Sequence, residues 1–467
     1  MPRADGRVTA LRAVLAVGAL PVGALAVGAL AVGALAMGAL AGEARADVPA
    51  RFDVSGVEAP ARPADAAARD AAEVALFLPR NVIDYTFLGT ELAASLVADE
   101  QLVPRYRELL GTPGGDLFVF PTLFAETGST PSVGLRMIAD SPKVASSQRF
   151  GFGGPANVAV ESRVVYKGLR AVAPYLVSVE LAYRLEDDIE FHGLGISPRT
   201  DPRNRFRDGT TKTFGLYSER RVRWLASYGV RPTDDLELFL SSSLYRRQTI
   251  FDANAGEEGL FRVFETGSVA GFSNEAFLAY SELAARYDSR RVRTRPAPGV
   301  AVEAYFGGAH TVTGSSVAYA RTGARATWAL PFFRQTNLVI GRFVIDHVEA
   351  LGGHELPFVE LSRQPDYRGF DTRRDALSLV LSLDYAWQLV PFLGMRLFLD
   401  GATVAPGVSE LELSHLAGSR IAGGLGFDFF AGKSALASFL VAASPDGARV
   451  TVGIGGAEIH GDRQHRD

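Results

Sequence analysis

Arg368, Asp384 and Asp400 carry the most specific chemistry in this chain. Arg368 stands in a Tyr367-Arg368-Gly369-Phe370 loop, and two alternating segments follow it, each with one aspartate. A guanidinium presents its N–H groups as a planar fork that suits one or two carboxylates. Buried, such a cation is costly unless paired, so a loop arginine facing two aspartates reads as a latch. Glycine beside it permits a tight backbone approach to a wall. In the first segment Leu377, Leu379, Leu381, Leu383, Tyr385 and Trp387 share one face, opposite Ser378, Val380, Ser382, Asp384 and Ala386. In the second, Leu393, Met395, Leu397 and Leu399 alternate with Gly394, Arg396, Phe398 and Asp400. Successive strand side chains point to opposite faces, so both aspartates fall on the less apolar one. Two roles stay open: a latch that only pins the loop, or one that also takes part in what the protein does.

Other reactive constellations are weak. The seven histidines are scattered, without zinc spacing. Asp346-His347 suggests an oriented base, but adjacent strand residues face opposite ways. Gly193-Leu194-Gly195-Ile196-Ser197 lacks the glycine spacing of a nucleophile elbow. Glu186-Asp187-Asp188 and Glu190 could attract calcium loosely, but an ordinary solvated loop is by far the better explanation. With no cysteine, disulfides, thiolate metal sites and a lipidated N-terminal cysteine are excluded. We expect no catalytic residue, no metal, no cofactor and no enzymatic activity.

The elements that must position the latch are strands. At 467 residues the chain can close a large barrel, and its net charge of −4 gives no basic signature for nucleic acid. Alternation covers Leu117–Glu126, Val133–Ala139, Val158–Tyr166, 175–185, 214–230, Leu236–Arg246, Phe277–Tyr287, Val300–Phe306, Ala318–Leu330, Leu338–His347, the two latch segments, Arg420–Phe430, Ala435–Ala443 and Arg449–Gly455. The face opposite the apolar one carries Glu180, Arg184, Glu303, Arg342, Arg396, Arg420 and Asp428 among Gly, Ser and Ala. A sandwich also alternates, but with shorter strands whose polar face looks out. An apolar exterior, a polar lumen, and tight turns alternating with the long loops 186–213, 248–274 and 348–374 are the pattern of a transmembrane antiparallel β-barrel. Fifteen strands can be counted. An even number is expected, which predicts about sixteen, with the missing one at the start, within Leu76–Leu88.

Arg3, Arg7 and Arg12 precede an uncharged Ala-Val-Gly-Ala-Leu repeat and then Ala44-Arg45-Ala46. That order predicts a cleaved signal peptide over 1–46, with an uncleaved anchor as the alternative. Residues 47–114 form a leader, partly helical, because Leu92, Leu96, Val97 and Leu102 recur at helical spacing. The barrel is expected over 115–456 and a polar tail over 457–467.

Tyr367-Arg368-Gly369-Phe370 resembles the arginine-glycine-aromatic tip of the inward-folded loop in BamA/TamA-type outer-membrane assembly barrels, also called bacterial surface antigens. In that family the loop precedes the last five strands, as it does here. The resemblance implies that Arg368 pairs with Asp384 and Asp400 on the inner wall, Asp384 standing where family members usually carry glutamate. His192-Gly193-Leu194-Gly195-Ile196-Ser197 is similar to a recurring outer loop of shorter members. The resemblance spans roughly 115–456 and is strongest over 356–430. The usual POTRA domains find no room between Asp47 and Gly115, and the last strand lacks a terminal aromatic. Gly453 and Gly455 could form a weak closing seam with the first strand, or make room for a plug or loop.

The expectation is therefore an integral protein of the Gram-negative outer membrane, acting in outer-membrane protein insertion or in transport through its lumen or lateral seam. Its partners would be outer-membrane lipids, with protein clients or a separate periplasmic protein. The alternative is a pore-forming or structural, surface-exposed barrel without assembly activity.

Overall fold

The computed structural model describes residues 117–454, apart from short stretches in the connections between strands. The signal over 1–46, the leader over 47–114, Phe370, Gly455 and the tail over 457–467 lie outside the described residues. Sixteen strands succeed one another: β1 (Leu117–Glu126), β2 (Ser132–Asp140), β3 (Val144–Gly153), β4 (Asn157–Tyr166), β5 (Tyr175–Phe191), β6 (Gly215–Val230), β7 (Leu236–Ile250), β8 (Glu275–Asp288), β9 (Gly299–Gly314), β10 (Ala318–Phe332), β11 (Arg334–Ala350), β12 (Leu377–Val390), β13 (Leu393–Ala405), β14 (Arg420–Ala431), β15 (Ser434–Ser444) and β16 (Gly447–Ile454). Each pairs antiparallel with its chain neighbours, and β1 pairs with β16 to close the barrel.

The strand missed by sequence is β3, not one at the start. Its outward phase carries Ser146 and Gln148 between Val144 and Phe150, which breaks the apolar alternation. The two polar groups satisfy each other, Gln148 Nε2 donating to Ser146 Oγ at 3.2 Å. With β3 counted, the barrel closes on Leu117–Glu126, and a strand within Leu76–Leu88 is not needed.

Alternation fixes inside and outside. Leu283, Phe306, Leu330, Leu381, Leu383 and Leu399 are each at least half exposed on the outer surface. Glu180, Arg223, Glu303, Arg342, Asp346, Asp384, Arg396, Asp400 and Asp428 are buried on the inner wall. An apolar exterior round a polar interior, with all strand edges paired, is the form a sheet must take in lipid. Inner-wall glycines let aromatic side chains lie flat across neighbouring strands. A Cβ on Gly323 would stand 2.1 Å from the Tyr305 hydroxyl, and one on Gly307 would stand 2.6 Å from that of Tyr280.

The wall is uneven. β5 and β11 run 17 residues, whereas β16 has 8 and β2 has 9. The seam between β1 and β16 is registered through four pairs: Leu123 with Ile454, Phe124 with Gly453, Ala125 with Val452 and Glu126 with Thr451. Gly453 therefore faces Phe124 across the closure.

Three long connections, 192–214, 251–274 and 351–376, leave the same end of the barrel and fold over its mouth. They share an apolar core of Phe191, Leu194, Tyr217, Leu260, Val263, Phe264, Phe358 and Leu361. A single helical turn, α1 (Leu260–Val263), contributes two of these. Phe358 packs edge-on against Phe191 and Tyr217, at centroid separations of 4.9 and 5.2 Å. Arg207 N donates to Val263 O (2.9 Å), Glu265 N to Arg205 O (2.9 Å) and Gly195 N to Arg374 O (3.2 Å), stitching the three together.

Candidate functional site

Gly369 lets the loop tip turn back on itself: a Cβ there would stand 2.4 Å from the Tyr367 ring. The turn directs Arg368 into the lumen, against the inner faces of β12 and β13. Arg368 Nη1 and Nη2 donate to Asp384 at 2.9 and 2.5 Å, while Nε and Nη2 donate to Asp400 at 2.9 and 2.5 Å. The Arg368 backbone N–H also donates to Asp400 Oδ2 at 2.9 Å, fixing the backbone as well as the head group. The guanidinium lies 3.8 Å from the centroid of Phe398, which is registered opposite Asp384 and shares the face of Asp400. All three charged side chains are buried, Asp400 completely. The fork thus uses both its edges on two carboxylates, an arrangement a lysine ammonium cannot reproduce. Beyond it the network continues: Arg396 Nε donates to Asp428 at 2.8 Å, while Arg396 Nη1 and Arg342 Nη2 each lie 3.9 Å from Asp384.

The loop has a second, oppositely charged anchor that sequence reasoning missed. Glu360 accepts from Arg247 (2.5 Å) and from the hydroxyls of Tyr245 (3.1 Å) and Tyr319 (2.9 Å), on β7 and β10. Ser362 donates to Asp346 (2.8 Å), and Arg325 pairs with Asp366 (3.0 Å). The Val359-Glu360-Leu361-Ser362 stretch alternates apolar and polar residues like a strand, which is the available signal. A 351–376 connection is thereby bound to β7, β10, β11, β12 and β13 at once.

Outside the wall, the His192-Gly193-Leu194-Gly195 segment docks on the same loop. Gly193 and Gly195 adopt φ of 95° and 81°, a region open to glycine. Asn204 brackets Leu194, its Oδ1 accepting from Leu194 N at 2.8 Å and its Nδ2 donating to Leu194 O at 2.9 Å. Arg203 bridges Asp201 and Asp375 at 2.6 Å each, tying connection 192–214 to connection 351–376. The Asp375 carboxylate, set against the cost of burial, holds the Arg203 guanidinium above its ordinary pKa. Burial works to raise the Asp201 pKa, but hydrogen bonds from Arg203 win and leave it below the usual aspartate value. Arg374 is enclosed by Phe191, Tyr217 and Phe358, with ring centroids 5.6–5.8 Å away, and donates to the Tyr217 hydroxyl at 2.8 Å. Burial, with Arg363 nearby, pushes its pKa down to about 10.

One residue of the last strand joins the loop tip to the seam. Arg449 Nη1 donates to the carbonyls of Gly369 (2.9 Å) and Tyr367 (3.4 Å), and Nη2 pairs with Glu126 of β1. Asp346 and His347, weighed as a catalytic pair, point apart: Asp346 takes Arg321 and Tyr305 on the inner wall. Among the described residues no group of three or more His, Asp or Glu stands together as a metal cage.

No protein-family model matches the sequence, and no curated protein matches it. Among solved structures, the chain is similar to BamA from Haemophilus ducreyi lacking POTRA domains 1–3, at 12% identity and a TM-score of 0.49 over 73% of this chain and 70% of that one. It is similar to CdiB from Acinetobacter baumannii at 7% identity and a TM-score of 0.44, over 73% and 60% of the two chains. The Pseudomonas putida toluene transporter TodX aligns at 12% identity with a TM-score of 0.29, over 75% and 89%. The architecture rests on its own geometry: a closed sixteen-strand barrel whose loop arginine is held by two aspartates of the wall.

Proposed function

We propose that this chain is an outer-membrane barrel of the BamA/TamA type that inserts or translocates other proteins through its lumen or through the β1–β16 seam. The observation that carries this reading is the latch itself, Arg368 on Asp384 and Asp400, joined through Arg449 to the shortest strand of the wall. A loop so anchored beside a four-pair closure supports a barrel in which loop position and seam pairing are coupled. The test exploits the absence of cysteine: Ala125→Cys with Val452→Cys, a registered pair, locks the seam by disulfide. Reconstituted with an unfolded β-barrel client, the reduced protein accelerates client folding into liposomes and the oxidised protein does not. Equal, uncatalysed folding in both states sinks the reading. A second reading, a structural surface barrel, is favoured by the three-loop apolar cap over the mouth. It requires that reduced and oxidised forms be indistinguishable and that neither conduct ions.

A further inference from the structure

The latch leaves one feature of the inner wall unused, on strands half-way round the barrel from the seam. A groove runs between the inner faces of β6, β7, β8 and β10 and ends at Glu360 beneath the cap. Its floor follows from register and side-chain size. Ser241 lies opposite Glu282 and Ser243 opposite Tyr280, while Gly307 and Ala309 continue the same two rows on β9. Larger residues rise at either end: Arg223 and Tyr245 towards the cap, Phe239 and Arg286 towards the short turns.

The charges of this lining are matched rather than surplus. Arg223 pairs with Glu180, Arg286 with Glu303 and Arg321 with Asp346, and Glu360 is held by Arg247, Tyr245 and Tyr319. A free ion entering here would lose its water without meeting an uncompensated opposite charge. Hydrogen-bonding capacity is nevertheless left over, and of both kinds. Arg321 spends Nε and Nη2 on Asp346, at 3.0 and 2.6 Å. Its guanidinium has further N–H groups to donate. Glu282 accepts from the Tyr280 hydroxyl at 2.5 Å, and a carboxylate has lone pairs for more than one such bond. The Ser243 hydroxyl is taken by no described residue. An alcohol both donates and accepts, whereas an anion only accepts and an ammonium only donates.

An apolar platform lies among these groups. Tyr280 lies flat over Gly307, where a Cβ would stand 2.6 Å from its hydroxyl. One face of the ring is therefore set against the wall, and the other is turned to the groove. A sugar ring presents a C–H face that can rest on such a surface, and a rim of hydroxyls that reaches the polar groups around it.

We propose that the groove binds a neutral carbohydrate, one pyranose ring resting on Tyr280 with its hydroxyls shared among Arg321, Glu282 and Ser243. The cap closes the other end, so the sugar enters from the short-turn side. Such a site gives the barrel a solute-binding capacity independent of the seam.

Saturation-transfer difference NMR tests this on the full chain in a polyoxyethylene detergent, which carries no sugar. The probes are the methyl β-glycosides of glucose, galactose and mannose, with glucosamine and glucuronate as cationic and anionic counterparts. At least one neutral glycoside should give ring-proton signals at least twofold stronger than either charged sugar. Tyr280→Leu should lower those signals at least threefold. Tyr280→Phe keeps the ring and should hold them within twofold of wild type, a result that an unfolded variant cannot give. Absence of signal from every neutral glycoside overturns the proposal, and so does a charged sugar that matches or exceeds them. Equal signals from wild type and Tyr280→Leu overturn it as well, as does an equal loss in Tyr280→Leu and Tyr280→Phe.

Discussion

At the scale of single residues, the energetic weight of the latch lies in its completeness. Arg368 satisfies two buried aspartates, and removing one partner of a buried ion pair typically costs about 3–5 kcal/mol because a charge is left uncompensated. Arg368→Ala leaves Asp384 and Asp400 on neighbouring strands without that cation, so its loss should fall in this range. Urea unfolding followed by the heat-modifiable gel shift measures it. Arg368→Lys retains charge but not the two-edged fork, and should lie between wild type and alanine. Adding Asp384→Asn and Asp400→Asn to Arg368→Ala recovers part of the loss. If the triple variant is no more stable than the single one, the carboxylates are not what the arginine compensates.

At the scale of elements, the cap depends on contacts between loops whose chemistry can be titrated. Asp201 has a folded pKa below the ordinary aspartate value of 3.8, because the Arg203 hydrogen bonds outweigh burial. A depressed carboxylate contributes stability that is present above its unfolded pKa and lost as pH falls through the folded one. The tie from connection 192–214 to connection 351–376 should hold at neutral pH and loosen below about pH 4. A nitroxide on Asp208→Cys, read by electron paramagnetic resonance, should become more mobile over that window. Asp201→Asn should be mobile throughout. The same contrast explains what the sequence disclosed. β12 and β13 were legible because alternation fixes the phase of Asp384 and Asp400 relative to Leu383 and Leu399. β3 is not, since Ser146 and Gln148 interrupt its outward apolar phase between Val144 and Phe150. The cap was hidden for a different reason. Phe191, Leu260, Phe264 and Phe358 come from distant connections, and no period in the chain announces that they meet. Glu360 was hidden likewise, its partners Tyr245 and Arg247 lying more than a hundred residues earlier.

At the scale of the whole molecule, the barrel is tall where β5 to β11 stand and low where it closes. A transmembrane strand needs about 9–11 residues, and β16 offers 8. Closure there rests on four residue pairs, supplemented by side-chain contacts from Arg449. Arg449 holds Glu126 of β1 with one nitrogen and the loop-tip carbonyls of Tyr367 and Gly369 with the other, so a single side chain spans first strand, last strand and latch. Loss of this bridge should loosen the seam without dismantling the wall, because the remaining fifteen strand pairings are untouched. Crosslinking reports it: in the Ala125→Cys, Val452→Cys background, adding Arg449→Gln should slow disulfide formation several-fold, since the two strands spend less time in register. Arg368→Lys in the same background should have a weaker effect in the same direction, transmitted through Gly369. If Arg449→Gln crosslinks as fast as its parent, backbone pairing alone closes the barrel and the loop has no hold on the seam. If both variants slow crosslinking, and Arg449→Gln does so with little change in urea stability, the latch is coupled to the closure rather than merely fastened beside it.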